Sequence, residues 1–120
     1  MQLDKLCVAC FSPTHTSMKI ARAIADGTHI ARREEIALTT APADTPIAVR
    51  NAICIVAAPV YGGLVAPVAV RRIARLRAEN SIAIPVVVYG NRDYEDALVQ
   101  LRDLLYAQGF TPLCGAAFVG

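Results

Sequence analysis

"AICIVAAP", Ala52 to Pro59, contains no charged residue and no apolar–polar alternation. A strand with one solvated face would alternate, so a short unbroken apolar run reads as a central strand covered on both faces, as in parallel sheets. Downstream, "VYGG" (Val60 to Gly63) turns the chain, and Pro67 stands where a helix begins. Ala66, Ala69, Val70, Ile73 and Leu76 then form one apolar stripe against Arg71, Arg72, Arg75 and Arg77, which predicts a helix with a solvated basic face. "IAIPVVVYG" (Ile82 to Gly90) predicts the next strand, with Pro85 near its start, where a missing N–H is tolerated. Asp93 is placed to cap a further helix, with Asp96 three residues on. Ala97, Leu98, Leu101, Leu104 and Leu105 are its expected buried face and Gly109 its stop, after which "LCGAAFVG" (Leu113 to Gly120) predicts a last strand.

Upstream, "KLCVACF" (Lys5 to Phe11) is a short apolar strand, and Met18, Ile20, Ala21, Ile24 and Ala25 fall at helical spacing as far as Gly27. "HIARREEIAL" (His29 to Leu38) predicts a lateral second strand. "TTAPADTPIAVRN" (Thr39 to Asn51), rich in proline and small polar residues, predicts a loop with one helical turn. Strands alternating with helices give a doubly wound parallel α/β sheet. Its ligand site is expected beyond the carboxyl ends of the strands, where three loops fall: Ser12 to Ser17, Pro59 to Val65 and Tyr89 to Tyr94.

Composition agrees. The 120 residues suffice for one domain spanning 1–120, and 55 % hydrophobic against 18 % charged residues suits elements buried on both faces. A formal charge of +2 announces neither nucleic acid nor an anionic membrane. The longest apolar run, Ala52 to Tyr61, is about half of the roughly 20 residues a membrane helix needs, and the N-terminus lacks the apolar centre of a signal peptide, so a cytoplasmic location is expected. Cys7 and Cys10 form a C-x-x-C, but on a strand two residues three apart point to opposite faces and cannot share an ion. Cys7, Cys10, Cys54 and Cys114 are therefore expected to be small buried hydrophobes, with no metal site.

In "SPTHTS" (Ser12 to Ser17) hydroxyls meet the unpaired N–H groups of a helix start, which is a cradle for a phosphate; the same hydroxyls also serve as simple caps. Neither G-x-x-x-x-G-K-[ST] nor G-x-G-x-x-G is present. No arginine closes a short loop after Cys10, and Phe11 and Pro59 stand where a phospho-acceptor domain would carry carboxylates, so no catalytic acid, base or nucleophile is expected. "PVYGG" and "YGNRDY" add glycines that allow close backbone approach, and Tyr61, Tyr89 and Tyr94 supply aromatic faces. A phosphate pocket beside a slot for a flat ring, without catalytic side chains, describes a flavin mononucleotide (FMN) site.

The chain also resembles flavodoxins. "FSPTHTS", "APVYGG" and "VVYGNRDYEDAL" are similar to the flavodoxin-like half of bacterial proteins in which such a domain is fused to an iron–sulfur ferredoxin domain. The resemblance implies a five-stranded parallel sheet of order 2-1-3-4-5. It implies that Ser12, Thr14, His15, Thr16 and Ser17 surround the FMN phosphate. By the same likeness Pro59, Val60, Tyr61, Gly62 and Gly63 lie near the flavin N5 edge, and Tyr89, Gly90, Asn91, Arg92 and Tyr94 flank the ring. His15 stands where the family often has glycine, adding a donor charged only near or below neutral pH. The usual last helix and the ferredoxin cysteines do not follow strand five in this sequence, which suggests either the N-terminal part of a longer protein or a reduced relative with one sheet face exposed. The implied function is an electron-transfer domain working with a redox partner protein, an iron–sulfur ferredoxin domain being one such partner. The alternatives are a small FMN-dependent NAD(P)H:quinone-type reductase, and a flavin-free interaction module whose arginines bind an acidic partner. An uncovered sheet face would also permit a dimer.

Overall fold

A computed structural model describes residues 5–11, 16–38, 45–61, 63–89, 95–113 and 115–119. The strands are β1 (Lys5–Cys10), β2 (Arg33–Ala37), β3 (Ile47–Arg50), β4 (Ala52–Tyr61), β5 (Leu64–Val65), β6 (Leu76–Glu79), β7 (Ile82–Tyr89), β8 (Thr111–Pro112) and β9 (Ala116–Val119). The helices are α1 (Thr16–Gly27), α2 (Pro67–Ile73) and α3 (Glu95–Ala107). In the main sheet β2 lies outside β1, β1 beside β4 and β4 beside β7, with β8 and β9 along the far edge of β7. These pairings are all parallel. Counting β8 and β9 as one interrupted strand, this is the expected order 2-1-3-4-5.

The unbroken apolar run does form the centre: β4 pairs with β1 and β7 along its length, and Ala52 and Cys54 to Ala58 are buried. Alternate residues of each strand feed two cores. On one face Leu6, Val8, Cys10, Ile55, Ala57 and Val86 pack against Ala21 and Ala25 of α1. On the other, Cys7, Ala9, Cys54, Val56, Ala58 and Val87 pack with Ala69 and Ile73 of α2 and Ala97, Leu101 and Leu105 of α3. Helices on both faces, with the chain turning outward to β2 from β1 and to β7 from β4, make the sheet doubly wound with its switch point between β1 and β4. Among the described residues α1 alone covers its face, leaving Ile53, Ile84 and Ala116 half-buried and Phe118 exposed.

Cys7 and Cys10 belong to opposite cores, as the strand reading requires. Cys7 stands in register with Cys54 on β4. The Cys54 thiol is hydrogen-bonded to Cys7 and deeply buried, and both effects push its pKa well above the ordinary thiol value.

Three expectations need correction. The segment expected as a loop with a helical turn contains β3, which pairs in parallel with β6 as a separate two-stranded sheet. Helix α2 stops at Ile73, so Leu76 is a strand residue, and Arg75 is no part of a solvated helix face: it is 7 % exposed and its Nε donates to Thr45 O at 2.9 Å. The last strand is split, for a reason Pro85 supplies. Pro85 sits mid-strand in β7 with its carbonyl oxygen toward Gly115, so its missing N–H falls on that same side, and pairing lapses between β8 and β9.

Candidate functional site

Strand direction decides where the ends of β1, β4 and β7 and the start of α1 gather. Lys5 to Cys10 of β1 pair with Ala52 to Ala57 of β4, and β4 continues four residues further, to Tyr61. At the carboxyl end of β1 the N–H of Phe11 donates to Ala57 O at 3.2 Å, and the N–H of Leu38 donates to Cys10 O at 3.1 Å. Helix α1 then starts at Thr16, so its N-terminus rises at the switch point beside the projecting end of β4. The first turn of α1 carries no acidic residue that would repel an anion. Ser17 within it is 3 % exposed.

Pro59 to Tyr61, expected as loop, are the last residues of β4. The chain turns back at Gly63 into β5, with Val60 opposite Val65 and Tyr61 opposite Leu64 in an antiparallel pair. Gly63 in that turn has φ +84°, a conformation glycine adopts without strain, and a glycine pair between two strands is the usual chemistry of so tight a hairpin. Two bonds fix the hairpin. The N–H of Ala66 donates to Pro59 O at 3.2 Å, and the N–H of Val65 donates to Oε1 of Gln100 on α3 at 2.9 Å. The tip projects, leaving Tyr61 59 % exposed.

Tyr89 ends β7 directly across from Val60. Because successive strand residues alternate faces, this register puts Tyr89 and Tyr61 on opposite sides of the sheet edge. Tyr89 is half-buried against the α2 and α3 core, whereas Tyr61 stands free of it. The structure thus brings Pro59, Val60, Tyr61, Gly63 and Tyr89 to one rim, with Thr16 and Ser17 opening α1 at the same rim. Ser12, Thr14, His15, Gly62, Gly90, Asn91, Arg92 and Tyr94 lie outside the described residues.

Gln100 is the rim-fixing residue that the sequence reading passes over. Its signal is a polar side chain three residues after Ala97 and four before Leu104, on the border of the apolar stripe of α3.

No known protein family matches the sequence, and no curated protein is similar to it at the sequence level. Solved structures do share its fold. An NADH:FMN oxidoreductase, EMOB, in its apo form superposes with a TM-score of 0.78 at 18 % identity, covering 96 % of this chain and 75 % of that one. The rubredoxin oxygen:oxidoreductase of Desulfovibrio gigas gives 0.71 at 16 % identity, covering 98 % of this chain but 31 % of that one. A flavodoxin of Streptococcus pneumoniae TIGR4 gives 0.66 at 18 % identity, covering 94 % and 82 %. At these identities the shared property is the fold, which is flavodoxin-like.

Proposed function

We propose, from a flavodoxin-like fold whose switch-point rim joins an acid-free helix start to a glycine hairpin, that the chain is an FMN-binding electron-transfer domain. The observation that carries the reading is the placement of the first turn of α1 beside the projecting end of β4. The turn offers unpaired N–H groups and the positive end of the helix dipole to a phosphate, while the hairpin and Tyr89 border the space where a flat ring would lie. Bound FMN would supply the redox chemistry. Ser12, Thr14, His15, Thr16 and Ser17 would hold its phosphate. Pro59 to Gly63 would face one edge of the ring, and Tyr89, Gly90, Asn91, Arg92 and Tyr94 another. The Gly62–Gly63 turn would let a peptide approach the ring closely, and the bond from Val65 to Gln100 would hold that peptide in place.

A redox partner protein would exchange electrons at this rim, an iron–sulfur ferredoxin domain being one candidate, fused as in the proteins the sequence resembles. That the D. gigas protein contains the same fold within a chain about three times as long supports this arrangement.

Titration of the purified protein with FMN tests the reading. A shifted and sharpened flavin absorbance with saturating 1:1 uptake is expected; folded protein that leaves the flavin spectrum unchanged would remove it. A second reading, a small FMN-dependent reductase acting on a quinone-type acceptor, draws on the superposition with the NADH:FMN oxidoreductase. Oxidation of NADH by the FMN-loaded protein in the presence of a quinone, with no partner protein added, would favour it.

A further inference from the structure

Among the described residues, Cys7 and Cys54 are the one pair of thiols that strand register sets side by side. Their Cα atoms are partners on the neighbouring parallel strands β1 and β4, and both side chains enter the core that α2 and α3 cover. Partners on adjacent strands stand about 4.8 Å apart, inside the roughly 4.4–6.8 Å between Cα atoms that a disulfide spans. Both are free thiols, both are buried, and they are hydrogen-bonded to each other. Packing alone does not ask for sulfur here: the next row on the same face, Ala9 beside Val56, is filled by hydrocarbon. Cys10 belongs to the opposite core, beside Ala57, and cannot reach either thiol. The row has an entrance. Cys7 is flanked on its other side by Glu34 of the edge strand β2, so solvent, Glu34, Cys7 and Cys54 follow one another across the sheet. Lys5, two residues before Cys7 and therefore on the same face, pairs with Glu34 at 3.3 Å, and both side chains reach solvent. A surface ion pair of this kind holds weakly and is easily opened. The hydrogen bond from Cys54 draws the Cys7 thiol below the ordinary thiol value, so the sulfur nearer the edge is the one that ionises first.

We propose that Cys7 and Cys54 are a reversible redox pair, oxidised by a hydroperoxide to a disulfide that ties β1 to β4 and reopened by a dithiol. Cys7, as the thiolate, attacks one oxygen of hydrogen peroxide: an S–O bond forms, the O–O bond breaks, and the other oxygen leaves as hydroxide, which takes up the proton that Cys7 released. The Cys54 sulfur then attacks the Cys7 sulfenic acid; the S–S bond forms, the S–O bond breaks, and the oxygen leaves as water with the Cys54 proton. In all, the two thiols give up two electrons and one peroxide becomes two waters. Thiol–disulfide exchange reverses the step, the dithiol being oxidised to its own disulfide. The cross-link restricts the unfolded chain, so the oxidised form resists unfolding more than the reduced one. The pair acts without bound flavin and stands apart from the FMN reading.

The test treats the folded, dithiol-reduced full chain with a small excess of hydrogen peroxide, removes the peroxide with catalase and alkylates under denaturing conditions. Alkylation is expected to fall from the four cysteines of the chain to two. The intact mass before alkylation should drop by about 2 Da, and fragment-ion spectra should join Cys7 to Cys54. Dithiothreitol should restore all four labels, and the oxidised form should unfold at a higher denaturant midpoint than the reduced form. Cys54→Ala should abolish the mass loss and Cys10→Ala should preserve it. Should Cys54→Ala not fold, the fragment spectrum of the unsubstituted chain carries the test alone. A bond through Cys10 or Cys114, a bond between two chains, sulfinic acid in place of a disulfide, oxidation that dithiothreitol does not reverse, a lower midpoint in the oxidised form, or four thiols surviving peroxide would each overturn the proposal.

Discussion

The backbone N–H of Val65 donates to Oε1 of Gln100 at 2.9 Å, so the return strand of the hairpin hangs from α3 rather than from the main sheet alone. Replacing Gln100 by leucine leaves that half-buried N–H without its partner, at a cost of about 1–3 kcal/mol. Gln100→Leu should accelerate hydrogen exchange at Val65 and Ala66 while exchange in β1 and β4 stays slow. Under the FMN reading it should also weaken flavin uptake, since the loosened hairpin borders the ring.

Arg75 ties the small sheet to the segment before it, through Nε to Thr45 O and through its own carbonyl, which accepts from the N–H of Ile47 at 2.9 Å. A charge-assisted hydrogen bond of a buried group contributes roughly 1.5–3 kcal/mol. Arg75→Ala should lower stability to chemical denaturation by that order, whereas Arg71→Ala, at an exposed position, should change it by less than about 0.5 kcal/mol.

Gly109 follows α3 with φ +100°, and a Cβ there would press on the carbonyl oxygen of Ala78 in β6. The capping bonds from the N–H groups of Gly109 and Phe110 to Tyr106 O and Leu105 O, both 3.1 Å, depend on that conformation. Gly109→Ala should destabilise the protein by at least about 1 kcal/mol, read as a lower denaturation midpoint with an unchanged m-value.

Arg22 on α1 holds Glu35 of the edge strand β2 through two bonds, from Nε at 3.0 Å and from Nη2 at 2.9 Å. The guanidinium draws the Glu35 carboxyl below the usual glutamate range. A depressed folded-state pKa stabilises the fold above the unfolded value and loses that contribution as pH falls through the folded one. Titration of the Glu35 carboxyl by NMR should therefore give a midpoint below that of free glutamate, and Arg22→Ala should return it toward the ordinary value.

How much of this could be read from the chain depended on whether local pattern and tertiary pairing agreed. The run from Ala52 to Pro59 and the stripe from Ala97 to Leu105 are each long enough, and uniform enough, for burial to be read directly. Strand β3 could not be found that way: it has four residues, one of them fully buried, and owes its existence to pairing with β6. Leu76 misled for the opposite reason, since it continues the helical period from Ile73 although the chain has already left the helix. That β1, β4 and β7 end, and α1 begins, at one rim was legible because it follows from strand direction alone. The hairpin was not, although the Gly62–Gly63 pair carried its signal. What separates Tyr89 from Tyr61 is sheet register, which single residues do not reveal.

Charge near the hairpin bears on the flavin potential under the proposed function. Reduced FMN is anionic, and acidic neighbours would make its formation harder; the stretch from Asp44 to Glu79 supplies none between its ends. A spectroelectrochemical titration should give a potential less negative than in strongly acidic flavodoxins, and an equally low value would contradict this electrostatic account.

The central claim, that the start of α1 and the hairpin together hold a phosphorylated flavin, is tested most directly by calorimetry of the folded protein with FMN and, separately, with riboflavin. The account predicts one FMN bound per chain, markedly weaker binding of riboflavin for want of the phosphate, and loss of that preference in Ser17→Ala. Equal affinity for the two flavins would contradict the phosphate cradle, and no heat of binding with either would contradict the site as a whole.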